Sequence, residues 1–91
     1  MIRDKLEEAL MRCSAWERDA CIALAQDDQE SARAVLSNII DFATLKLQNL
    51  MDLYAILQEK GAYSAIPEFE HYADCLRRFI QCAVEQLSIY K

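Results

Sequence analysis

Seven apolar residues near the start of the chain are spaced with helical regularity. Ile2, Leu6, Ala9, Cys13, Trp16, Ala20 and Ala23 follow one another at intervals of four, three, four, three, four and three. An average spacing of 3.5 residues returns to one face of an α-helix, and nothing nearby alternates as a half-buried strand would. Leu10 and Leu24 widen the stripe. The chain has only one Gly and one Pro in 91 residues, so helices here meet few breaks and run long. The spacing predicts a first helix over 2–26.

The stretch Gln26-Asp27-Asp28-Gln29-Glu30 is the first break. Asp27 suits an N-cap, and Glu30 three residues later completes a capping box. The alternative is a helix that continues through the acids. The second helix is expected over 28–60. Its apolar positions cover an arc of about 200°, wider than the stripe of an ordinary surface helix. Asp41, Thr44, Gln48, Asp52 and Glu59 form its polar stripe, and Leu45 and Ile56 fall inside that stripe. Gly61 fits the position just past a helix end, with Lys60 beside it at the negative pole. Pro67 fits the first turn of a third helix over 67–90, with Glu68 and Glu70 suited to the same turn. That helix carries Phe69, Tyr72, Ala73, Leu76, Ile80, Ala83, Leu87 and Tyr90 on one face. A second stripe, Cys75, Phe79, Cys82 and Ile89, lies beside it.

These segments predict an all-α chain: one domain over 1–91, an up-down-up three-helix bundle with a long central helix. At 1.5 Å per residue the central helix outreaches its neighbours by about 12 Å. Its protruding end must be bent, wrapped by the connector, or covered by another chain. A homodimer with two-fold symmetry is expected.

Composition narrows the function. The chain is 54% hydrophobic, more than so small a core consumes, since a domain of this size buries only about 60–65% of its unfolded surface. The surplus points to a partner surface. Fifteen acids against ten bases give a net charge of -5, which disfavours nucleic acid and anionic membranes. Met1 is followed at once by Ile2-Arg3-Asp4-Lys5, without the apolar core of a signal peptide. No apolar run, neither Ala20 to Ala25 nor Leu53 to Leu57, approaches a membrane span of about 20 residues. A cytoplasmic protein with reduced thiols is therefore expected. Cys13 and Cys21, or Cys75 and Cys82, stand about 10–12 Å apart along a helix, too far to bridge.

The one histidine, His71, raises the question of metal. Glu68-x-x-His71 is the pattern of di-iron carboxylate bundles, where two such motifs and further glutamates are needed; a dimer would supply the second motif, and Glu30 is a further acid. Alternatively, His71 and Cys75, one helical turn apart, would hold a thiophilic metal together with Cys13 or Cys21. The simpler reading places polar residues in a first helical turn and packs Cys75, with no cofactor. The apolar spacing of Cys13, Cys75 and Cys82 implies buried, inert thiols, and no base is fixed beside a nucleophile, so no enzyme activity is expected. Arg12, Arg18, Arg77 and Arg78 are interleaved with acids and read as solvated charge. Trp16 lies on the first helix seam and reads as a core anchor.

The segment from Trp16-Glu-Arg-Asp-Ala20-Cys-Ile-Ala23-Leu24 to Ala32-Arg33-Ala34-Val35-Leu36 resembles the hairpin of the phage-shock membrane-remodelling family. The resemblance spans 21 of 91 residues and implies a tight helical hairpin there, with no activity attached. In size and helicity the chain is also similar to secretion chaperones and small immunity proteins. The expectation is a non-enzymatic protein that masks or holds another protein, of immunity, inhibitor or chaperone type. Phe42, Leu45, Asp52, Leu53, Ile56 and Phe79 are the expected contact residues. Helix 2 and the second stripe of helix 3 would form the groove, and the acids Asp27, Asp28, Glu30, Asp41 and Asp52 would steer a partner with a basic surface. The alternative is a small metal-binding protein built on Glu68, His71 and Cys75.

Overall fold

The structure is a computed structural model that describes residues 2–89, with side chains from residue 4 onward. It is an all-α bundle of three helices: α1 (Ile2–Ala25), α2 (Gln29–Glu59) and α3 (Ile66–Ile89). There is no strand among the described residues. The expected end of the third helix at Tyr90 lies outside them, as do the side chains of Ile2 and Arg3.

The first connection is shorter than a loop. Asp27 adopts a left-handed φ of 57°, and the chain turns on two closing hydrogen bonds. Asp28 N donates to Ala23 O at 2.8 Å and Asp27 N to Leu24 O at 3.1 Å, the double bond of a Schellman motif. Asp28 then starts the next helix, its side chain accepting from Ser31 N at 3.1 Å. The N-cap is thus Asp28, not Asp27 as the sequence suggested. Asp27 is consumed by the left-handed turn, a conformation that Asp tolerates better than most residues.

The second connection repeats the device with the expected glycine. Gly61 has φ 75°, Ala62 N donates to Leu57 O at 2.9 Å, and Gly61 N donates to Gln58 O at 3.1 Å. One 3-10 turn (Tyr63–Ala65) follows and leads into α3, packing against both α2 and α3. Tyr54 Oη donates to Glu70 at 3.4 Å across the same end.

The interior is built of small side chains. Ala9, Cys13, Ala20, Ala23, Ala32, Ala43, Ala73 and Ala83 are buried, with Leu36, Ile39, Leu50, Tyr72 and Leu76. Two clusters stack along the molecule. One joins Cys13, Ala43, Leu50, Tyr72, Ala73 and Leu76; the other joins Ala20, Leu36, Ile39 and Ala83. Alanine lets helix backbones approach closely and pushes bulk outward. Trp16, Phe42, Phe69 and Phe79 are accordingly only half-buried, packed at the rim of these clusters.

The long helix α2 lies between the other two. It packs extensively on both, whereas α1 and α3 meet along a much shorter stretch. The result is a slab of 50 × 22 × 15 Å with a radius of gyration of 15.0 Å. A compact chain of this length would have a radius near 12 Å.

Candidate functional site

Where α1 and α3 fail to close on one another, a groove opens along the seam. Its inner part is a hollow of about 270 Å³ lined by Glu17, Cys75, Arg78, Phe79 and Cys82. Sharing Glu17 with it, a wider depression of about 660 Å³ is lined by Ser14, Arg18, Cys21, Ile22 and Gln86. Phe79 forms the floor by packing against both core clusters. Ile22, at 56% exposure, stands at the outer edge.

Helical spacing explains the lining. Cys75, Phe79 and Cys82 sit four and three residues apart, so they form a stripe beside the core stripe of α3. Glu17 stands seven residues from both Leu10 and Leu24, so a carboxylate occupies the flank that those leucines make apolar. It is half-buried and makes no hydrogen bond or ion pair within the described residues. Burial raises its pKa from the ordinary 4.5, because removing a carboxylate from water penalises its charged form. Cys13, one turn earlier and buried, is pushed up to about 11, chiefly by burial and also by the charge of Glu17. Its thiol stays neutral and inert at physiological pH.

The expected contact residues do not share one surface. Phe79 lines the groove. Phe42 lies on the α1–α2 seam, edge-on to Trp16 with ring centroids 5.3 Å apart. The cations of Arg12 and Lys46 stand 5.5 and 5.4 Å from its ring centre. Leu53 is half-buried beside Leu6, Lys46 and Leu50. Leu45 and Ile56 are 54% and 46% exposed, and Asp52 is exposed between them. They stand about 16 Å apart along the helix, as single apolar residues and not as a patch.

His71 and Cys75 do meet. Their Nε2 and Sγ atoms lie 3.9 Å apart, on residues one helical turn apart on α3. No three His, Cys, Asp or Glu side chains converge on one point among the described residues, so Glu68 does not join that pair as a third ligand. All four cysteines are free thiols. No helix among the described residues is long and apolar enough to cross a membrane.

The groove residue that sequence reasoning missed is Glu17. Its signal was available: a charge at the heptad position otherwise held by Leu10 and Leu24. The chain matches no protein-family model, and no match was found among the curated proteins or the solved structures.

Proposed function

We infer that this chain is a non-catalytic module that binds another protein along the α1–α3 groove. On this reading the helices run up, down and up, and the groove is where a further helix would complete the bundle. The observation that carries it is an apolar groove with a half-buried, unpaired carboxylate in its lining. A lone carboxylate held out of water gains most from a cation brought to it by a docking surface. The small-residue core supports the same reading. It leaves the large apolar groups at the rim, where a partner reaches them. Masking of a toxin or effector and holding of a secretion client are both uses of such a groove. The net charge of -5 favours partners with a basic surface.

A photo-reactive amino acid placed at position 22 tests this in the native host, with position 41 on the opposite face of α2 as control. The expected result is protein cross-linked from 22 and not from 41. Equal yield from both positions, or none from 22, removes the groove as the binding surface.

One observation favours a second reading. The His71–Cys75 pair supplies two ligands with a separation suited to a thiophilic ion. Zinc titration of the reduced protein, with His71→Ala as control, decides it. Stoichiometric zinc lost in the variant supports a metal role, and zinc binding unchanged by the variant removes it.

A further inference from the structure

Acids outnumber bases in this chain by fifteen to ten, yet one spot on the α1–α2 seam is locally basic. Lys5, Arg12 and Lys46, with the single acid Glu8, line a depression of about 270 Å³ beside Phe42. Helical spacing assembles them. Lys5, Glu8 and Arg12 recur at three and four residues on one face of α1, and Lys46 stands one turn after Phe42 on α2. The cations of Arg12 and Lys46 both stand against the Phe42 ring. Neither they nor Lys5 makes an ion pair among the described residues, and Glu8, one turn from Arg12, makes none either. A ring attracts a cation without neutralising it. Three like charges are thus gathered around one hollow with no counter-charge in contact.

A second depression adjoins the first. It measures about 150 Å³, shares Lys5 and Lys46 with the first, and is otherwise lined by Leu6, Asn49, Leu50 and Leu53. The two lysines therefore border both hollows, one basic and one largely apolar. From Lys46 to Leu53 is seven residues, about 10 Å along α2. The acidic net charge does not decide what binds here. Charges on the surface are screened beyond about 8 Å at physiological salt, and within that range the lining holds Lys5, Arg12 and Lys46 against Glu8 alone.

We propose that this seam binds a small amphiphilic anion. Lys5, Arg12 and Lys46 hold its oxyanion head, a phosphate or a carboxylate, and a short alkyl chain lies over Leu6, Leu50 and Leu53. The head supplies the counter-charge that the seam lacks, and Arg12 offers it a planar fork of N–H donors. The alkyl chain leaves water against leucine side chains. A hollow of about 150 Å³ takes a chain of a few carbons and not a lipid tail. Glu8 repels the head and limits the affinity. The site lies on a different seam from the α1–α3 groove, so it stands whether or not a protein fills that groove.

Titration of the full reduced chain with hexyl phosphate, below the concentration at which it forms micelles, tests the proposal by two-dimensional NMR. Saturable shifts are expected at Lys5, Arg12, Lys46 and Leu53. Hexanol and inorganic phosphate, which carry the chain and the head alone, should each bind at least about tenfold more weakly. Butyl phosphate should bind about fourfold or more weakly than hexyl, as two methylenes leave the apolar hollow. Arg12→Gln and Lys46→Gln should each weaken hexyl phosphate about threefold or more, and Glu8→Gln should tighten it about twofold. Circular dichroism checks that each variant keeps its helices. Should Lys46→Gln disturb the fold, Lys5→Gln and Arg12→Gln still decide the matter, since both positions are exposed. No saturable binding, or shifts centred on the α1–α3 groove, overturns the proposal. Inorganic phosphate as tight as hexyl phosphate overturns it too, because the apolar hollow then takes no part. Hexanol as tight as hexyl phosphate, or affinity unchanged by the charge variants, overturns it because the cations then take no part.

Discussion

Glu17 shows how one side chain records what surrounds it. Its neighbours on the flank of α1 are apolar, and burial raises its pKa above 4.5. In the unfolded chain the group titrates near its ordinary value. Between that value and the raised one the folded state holds the proton more tightly, so stability falls as pH rises through this window. Above the window the full penalty is present; below pH 4.5 it is absent. Glu17→Gln should therefore melt higher than the parent at neutral pH and level with it in acid. Thermal denaturation of the dilute chain at several pH values measures this, and a variant that melts lower at neutral pH would show that Glu17 is satisfied where it stands. Asp28 works in the opposite sense. The bond from Ser31 holds its pKa below 3.8, so the stability it adds is present above that value and is lost as pH falls through the lowered one. Neither shift was legible in the sequence. The heptad position of Glu17 was visible, but how much water reaches it depends on how closely α3 approaches.

The helices themselves were largely legible. Apolar spacing placed all three within one or two residues of their described ends, because period 3.6 is a property of the chain alone. The turns were legible where chemistry forced one answer. Gly61 ends α2 because its φ of 75° suits glycine. Adjacent aspartates were ambiguous, since either caps a helix, and only the path of the backbone sends Asp27 into the left-handed turn. Two substitutions test this at the level of the element. Asp27→Gly should stabilise the fold by roughly 0.5–1 kcal/mol by relieving the left-handed strain. Gly61→Ala should destabilise it by about 1 kcal/mol. A Cβ at Gly61 would meet nothing nearer than Tyr63 at 3.9 Å, so backbone strain and not crowding sets that cost. Both are read from urea denaturation midpoints. Ala43 tests the close approach of the helices. It is fully buried, and Ala43→Leu should cost about 1–3 kcal/mol by forcing α2 from its neighbours. A neutral result would mean the core has room to spare.

At the scale of the whole molecule, the sequence announced an apolar surplus and left its address open. The wide stripe of α2 suggested that Leu45 and Ile56 were the surplus. In the fold α2 is the central layer, and its broad stripe is spent on contacts to both neighbours, leaving those two residues as scattered exceptions. The open seam lies between α1 and α3, whose separation follows from side-chain size at many positions together. Alanines draw α1 and α3 towards α2, and no pattern within one helix says how far apart the outer two then stand.

The groove carries its own reporters, which give the most direct test that this seam is built to be covered. Cys75 and Cys82 line it, whereas Cys13 is buried in the core. Alkylation with a small reagent, read by mass spectrometry, should leave Cys75 and Cys82 protected in the protein as it occurs in its native extract. Both should react readily in the dilute purified chain, with Cys13 slow in both states. Equal and rapid reaction of Cys75 and Cys82 in the native extract and in the dilute chain would mean that nothing covers the groove, and would contradict the account.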